Sequence, residues 1–121
     1  MQSPSDILVI DDDAPIVEML VEVLRYAGYA ARSACSSRGA LIALAARRPA
    51  LILLDGTMYY HETTLLEILC GQFHAEIPIV IISASSRIRE SALARGAVDF
   101  LAKPFDLDEL LACVARYVPG S

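Results

Sequence analysis

Three consecutive aspartates, Asp11, Asp12 and Asp13, follow the apolar run Ile7-Leu8-Val9-Ile10, and a fourth, Asp55, follows Leu51-Ile52-Leu53-Leu54. A hydroxyl, Ser83, follows Ile79-Val80-Ile81-Ile82, and an ammonium, Lys103, follows the weaker run Val98 to Ala102. Carboxylates brought together repel; a pair about 4 Å apart costs roughly 4 kcal/mol at an effective dielectric of about 20. A divalent cation removes that cost, and all-oxygen ligation with room for water favours Mg²⁺ or Mn²⁺. Lys103 would offset part of the charge without a metal. Carboxylates, a hydroxyl and an ammonium in one cleft suit phosphoryl transfer, which depends mostly on positioning and on neutralising oxygen charge. An acid at a strand end is also a common helix cap. Capping accounts for Asp13, but two further acids before it exceed what a cap needs.

Those residues share a cleft only if the runs before them lie side by side. The three strong runs are short, branched-rich and continuous, as in strands buried on both faces of a parallel sheet. Two weaker strands are expected at Tyr29 to Ala34 and Val98 to Ala102 from their position and flanks. Helices are expected between them. In Pro15 to Ala27, Ile16, Met19, Leu20, Val23 and Leu24 share a face, with Asp13 as cap, Pro15 early and Gly28 at the exit. Ser37 to Arg48, Thr64 to Leu69, Ser86 to Arg95 and Asp106 to Val118 supply four more, the last opening with Asp106 and Glu109 at capping-box spacing. The order is β then α, five times. Right-handed crossovers then give an α/β three-layer sandwich with helices on both faces of a five-stranded parallel sheet. A flavodoxin-like strand order, 2-1-3-4-5, gathers the ends of the first, third, fourth and fifth strands, where ligand sites of such sheets collect.

With 121 residues, 55% of them hydrophobic, the chain is expected to be a single domain over residues 1–121 with an ordered core of about 6–118. No apolar run is long enough to span a membrane, so no membrane partner is expected. The net charge of −5 argues against direct nucleic-acid binding, and Arg47-Arg48 is the only adjacent basic pair. Cys35, Cys70 and Cys113 are odd in number and widely spaced, which suits buried or half-buried thiols in a reducing cytoplasm.

The stretches I-L-V-I-D-D-D, L-I-L-L-D, I-V-I-I-S-A and G-A-V-D-F-L-A-K-P-F, in this order and covering nearly the whole chain, resemble the successive signatures of CheY-like response-regulator receiver domains. The resemblance implies that Asp55 accepts a phosphoryl group from a histidine kinase or histidine phosphotransfer protein. It implies Mg²⁺ held directly by Asp12, mainly through water by Asp11, and also by Asp55 and the Thr57 carbonyl. Lys103 would pair with Asp55 and then with the phosphoryl oxygens, and Ser83 would hydrogen-bond one of them. Phe100 would turn inward as Ser83 shifts, and Lys103-Pro104 would be cis. Such a domain is not a turnover enzyme; it catalyses only its own phosphorylation and dephosphorylation. The last two helices and last strand would form the surface for a homodimer or an effector, with Cys113 among its exposed positions. The small uncharged Thr57 and Ser85 lack groups to orient an attacking water, implying slow or moderate self-dephosphorylation.

The chain departs from the family after Asp55. Gly56 replaces an apolar residue, and Tyr59, Tyr60 and His61 stand where the family has a Pro-Gly turn. Drift in a surface loop is one reading; partial cover of the site or a partner-specific patch is another. His61 as a metal ligand adds nothing the oxygen set lacks. The segment between Ser83 and Lys103 is slightly short, so an abbreviated fourth helix is expected. A pseudo-receiver, a docking module without phosphorylation, is the main alternative. A phosphatase of the haloacid-dehalogenase type needs an aspartate two residues before Asp55, where Leu53 stands, and flavin or dinucleotide binding lacks a glycine-rich loop.

Overall fold

The computed structural model describes residues 6–56 and 77–118. Within them β1 (Asp6–Ile10), β2 (Ala30–Ala34), β3 (Leu51–Asp55), β4 (Ile79–Ser83) and β5 (Asp99–Ala102) alternate with α1 (Ala14–Tyr26), α2 (Ser37–Ala46), α3 (Arg89–Ala94) and α4 (Leu107–Tyr117). The strands form one sheet in the order β2-β1-β3-β4-β5, and every pairing is parallel. The expected helix Thr64 to Leu69, the Tyr59–His61 stretch, Thr57 and Cys70 lie outside the described residues. No helix among the described residues is long and apolar enough to cross a membrane.

Side chains alternate between the two faces of a strand, and here both faces are apolar. Leu8, Ile10, Ile52, Leu54, Ile79 and Ile81 pack with Ala40 and Leu44 of α2 and Ala92 of α3. Ile7, Val9, Leu51, Leu53, Val80 and Ile82 pack on the other face with α1 and α4. Continuous apolar runs are therefore what a sheet covered on both sides requires. Burying each such Leu or Ile side chain contributes about 1.5–3 kcal/mol.

Local signals set the helix ends. Asp13 accepts a hydrogen bond from the Ile16 N–H at the start of α1, and Gly28, with φ 103°, takes the left-handed turn just beyond its end. At α4 Asp106 accepts from the Glu109 N–H at 2.8 Å while the Glu109 carboxylate accepts from the Asp106 N–H at 3.2 Å, completing the capping box.

Three sequence expectations need correction. The buried stripe of α1 is Val17, Leu20, Val21 and Leu24, and Met19 is exposed. This helix is apolar on most sides, so only contact with the sheet selects the face. The helix drawn from Ser86 to Arg95 does not fill that range but is abbreviated, as the short spacing led one to expect: a 3₁₀ turn, Ser86–Ile88, precedes the six residues of α3. There Ser85 Oγ accepts from the Arg87 N–H, a local bond that competes with regular helix. Cys113 is buried between α4 and the sheet rather than exposed on an output surface, whereas Cys35 is exposed.

The end of the sheet away from the aspartate cluster carries an acid that sequence reasoning passed over. Asp6 is 4% exposed, and Arg32 Nε lies 2.6 Å from its Oδ2. Arg32 also donates to the Ala43 carbonyl at 2.6 Å and to the Arg47 carbonyl, tying β2 to the end of α2. Arg47 stands 3.4 Å from Asp6 Oδ1, an ion pair without hydrogen-bond geometry, so that oxygen lacks a hydrogen bond. Arg32→Ala is expected to lower the unfolding free energy by about 3 kcal/mol by leaving a buried carboxylate uncompensated. Urea unfolding at neutral pH measures this, and a loss under about 1 kcal/mol would show that Arg47 suffices.

Candidate functional site

Parallel register brings the chemistry together. Ile10 is level with Leu54, which sets Asp11 beside Asp55 at the carboxyl edge. Asp55 is level with Ile82 and Ser83 with Ala102, so Ser83 and Lys103 each follow one residue further on. The Lys103 N–H donates to the Ser83 carbonyl at 2.8 Å and the Asp11 N–H to the Ala34 carbonyl at 3.1 Å, extending the ladders past the strands.

One carboxylate oxygen from each of Asp11, Asp12 and Asp55 lies within 4.8 Å of the others. Asp11 and Asp55 are buried and Asp12 is exposed, so the cluster opens to solvent on one side. Lys103 Nζ stands 3.3 Å from Asp55 Oδ1. Burial raises the Asp11 pKa above the ordinary carboxylate range. The N–H of Asp13, donating to Asp11 Oδ1, opposes this; Asp55 raises the pKa further, Lys103 lowers it and Asp12 raises it. Lys103 thus leaves the charge on Asp11 disfavoured. A divalent cation fits this donor set: hard oxygen ligands, converging charge and an open side for water. Thr57, the expected carbonyl ligand, lies outside the described residues.

Ser83 is buried at the end of β4, and its Oγ accepts a hydrogen bond from the Ser85 N–H at 3.0 Å. Phe100 is half-buried in β5, level with Ile81, and packs against the core on the α2 and α3 side. The Lys103-Pro104 peptide is cis, as expected. Asp13 serves its helix cap and not the cluster. In the sequence Gly56 stood out only as a glycine in place of an apolar residue. The structure instead shows that a Cβ there would meet Ser83 and Ile88, a contact no local motif announces.

A carboxyl whose pKa is raised by folding destabilises the fold while ionised; the cost disappears as pH falls to where it is protonated folded and unfolded alike. Asp11→Asn is therefore expected to raise the melting temperature of the metal-free protein at pH 7, with the gain fading toward pH 4. An unchanged or lower melting temperature at pH 7 would contradict this.

A family model described as Response regulator receiver domain matches residues 7–115. The nitrogen assimilation regulatory protein NtrX of Azorhizobium caulinodans is 40% identical over 115 residues, covering 92% of this chain and 25% of that protein. Response regulator MprA of Mycolicibacterium vanbaalenii is 38% identical over 114 residues, covering 90% of this chain and 48% of that protein. The chain therefore spans between a quarter and a half of the length of these relatives. The crystal structure of the receiver domain of NtrX from Brucella abortus superposes with a TM-score of 0.84 at 33% identity, covering 96% of this chain and all of that one. With a cluster of strand-end aspartates beside a lysine on a 2-1-3-4-5 parallel sheet, the chain belongs to the receiver domains of two-component response regulators.

Proposed function

We propose that this receiver takes a phosphoryl group on Asp55 in a Mg²⁺-dependent reaction, with a phosphohistidine of a histidine kinase or histidine phosphotransfer protein as donor. The observation that carries this is the convergence of Asp11, Asp12 and Asp55 beside Lys103, which stands 3.3 Å from the acceptor carboxylate. A carboxylate oxygen of Asp55 forms the new bond to phosphorus as the phosphorus–nitrogen bond breaks, and the leaving imidazole nitrogen keeps that electron pair. Lys103 is close enough to follow the charge from the carboxylate to the phosphoryl oxygens. Ser83 accepts from the Ser85 N–H, which leaves its own hydrogen to donate to a phosphoryl oxygen. Asp11, Asp12 and Asp55, with the Thr57 carbonyl, would hold Mg²⁺ or Mn²⁺, which when bound neutralises phosphoryl oxygen charge.

The domain is read as catalysing only its own phosphorylation and dephosphorylation, in the cytoplasm where such donors act. Its output is assigned to β5 with α3 and α4, through pairing with a second copy or an effector. Phe100 is assigned to the switch that follows Ser83. On that face Asp99 Oδ2 already receives hydrogen bonds from Arg116 at 2.6 Å and the Tyr117 hydroxyl at 2.8 Å.

With acetyl phosphate and Mg²⁺ the chain is expected to acquire one hydroxylamine-labile phosphoryl group, lost with EDTA and in Asp55→Asn, as read by intact mass. Lys103→Ala is expected to slow uptake by about a hundredfold. Absence of uptake by the unaltered chain would favour the docking-module reading instead. The acyl phosphate is expected to outlast the seconds timescale, since Thr57 and Ser85 are small and carry no carboxylate or amide to orient an attacking water; a phosphate-release assay with a half-life in seconds would contradict this.

A further inference from the structure

Gly56 directly follows the acceptor, just past the end of β3 where the backbone turns helical, and its missing side chain would point at Ser83 and at Ile88 of the core on the α2 and α3 side. Ser83 continues the row of Ile79 and Ile81 on β4. A Cβ placed on Gly56 would lie 2.4 Å from Ser83 Cβ, 2.6 Å from Ser83 Oγ and 2.9 Å from Ile88 Cδ1. The Ile88 contact is the tip of a flexible side chain and can rotate away. The Ser83 Cβ contact cannot, because that atom is fixed to the backbone of β4. Gly56 is not among the described glycines with positive φ, which are Gly28 and Gly96, so space rather than backbone conformation demands it.

We propose that Gly56 is a positioning residue for phosphoryl transfer, acting through Ser83. Its missing side chain lets the end of β4 close against the end of β3 and so holds the Ser83 hydroxyl at the acceptor. Ile88, buried in the 3₁₀ turn after β4, closes over the same gap. In this chain, where Ser83 and Ile88 are packed into the space that relatives give to an apolar side chain, a residue with a Cβ at position 56 would part the two strand ends and carry the hydroxyl away, while Asp11 and Asp12, on the far side of β3, stay where they are. This inference rests on the phosphoacceptor reading of Asp55.

The test compares the unaltered chain with Gly56→Ala, Ser83→Gly and the double variant. Read out are the phosphorylation rate at saturating acetyl phosphate and Mg²⁺, and Mn²⁺ affinity by electron paramagnetic resonance. Gly56→Ala is expected to slow phosphorylation about ten- to a hundredfold with Mn²⁺ affinity within about twofold, since misplacing a positioned group by an ångström has effects of that size. In the Ser83→Gly background, where neither hydroxyl nor Cβ remains to be displaced, Gly56→Ala is expected to change the rate by less than about twofold. An unaffected rate in Gly56→Ala, or an equal loss in both backgrounds, would overturn the proposal. If Gly56→Ala does not fold, the double variant decides: a rate matching Ser83→Gly supports the proposal and a slower one overturns it. An unaltered chain that takes up no phosphoryl group overturns the Asp55 reading itself, and this inference with it.

Discussion

Like charges at one edge of a buried sheet set the terms for this fold. Asp11, Asp12 and Asp55 bring carboxylate oxygens within 4.8 Å of one another, two of the three side chains being buried. Lys103 relieves part of the repulsion, yet Asp11 is still held above the ordinary carboxylate range. Such an arrangement survives only because the hydrophobic layers on both faces of the sheet fix the strand ends. In the proposed reaction the same repulsion would favour a cation at this edge and, through it, a phosphoryl group. Function and instability therefore have one source.

β1 shows the contrast within five residues. At its carboxyl end Asp11 faces other acids across an open cleft; at its amino end Asp6 is buried against Arg32 and Arg47. A guanidinium with a fixed fork satisfies several oxygens at once, and Arg32 reaches the Asp6 carboxylate and two backbone carbonyls. The first end is left short of positive charge and the second is supplied with it. The proposed chemistry lies at the short end.

The strong strands were legible because burial on both faces demands continuous apolar residues, as in Leu51-Ile52-Leu53-Leu54. Asp11, Asp12, Asp55, Ser83 and Lys103 were legible because each stands at or just past the carboxyl end of a strand, where sites collect in such sheets. The weak β5, Asp99–Ala102, was placed by its flanks alone, since only Leu101 among its residues is buried. The inward face of α1 was misjudged because Ile16, Val17, Met19, Leu20, Val21, Val23 and Leu24 leave several faces apolar. Cys113 was placed on the output surface for the same reason: about 100° of helix rotation, one residue's worth, decides between core and solvent.

By itself the sequence determined the element order, the acids and base at the strand ends and the helix caps, because each follows from local pattern and short-range hydrogen bonding. The tertiary structure decided what depends on residues distant in the chain. Arg32 meets Asp6 across β1 and β2, Lys103 meets Asp55 across β4, and Ser83 meets the bare backbone of Gly56. A glycine has no side chain to read. Its meaning lies in what occupies the space it leaves, and only the packed neighbour reveals that.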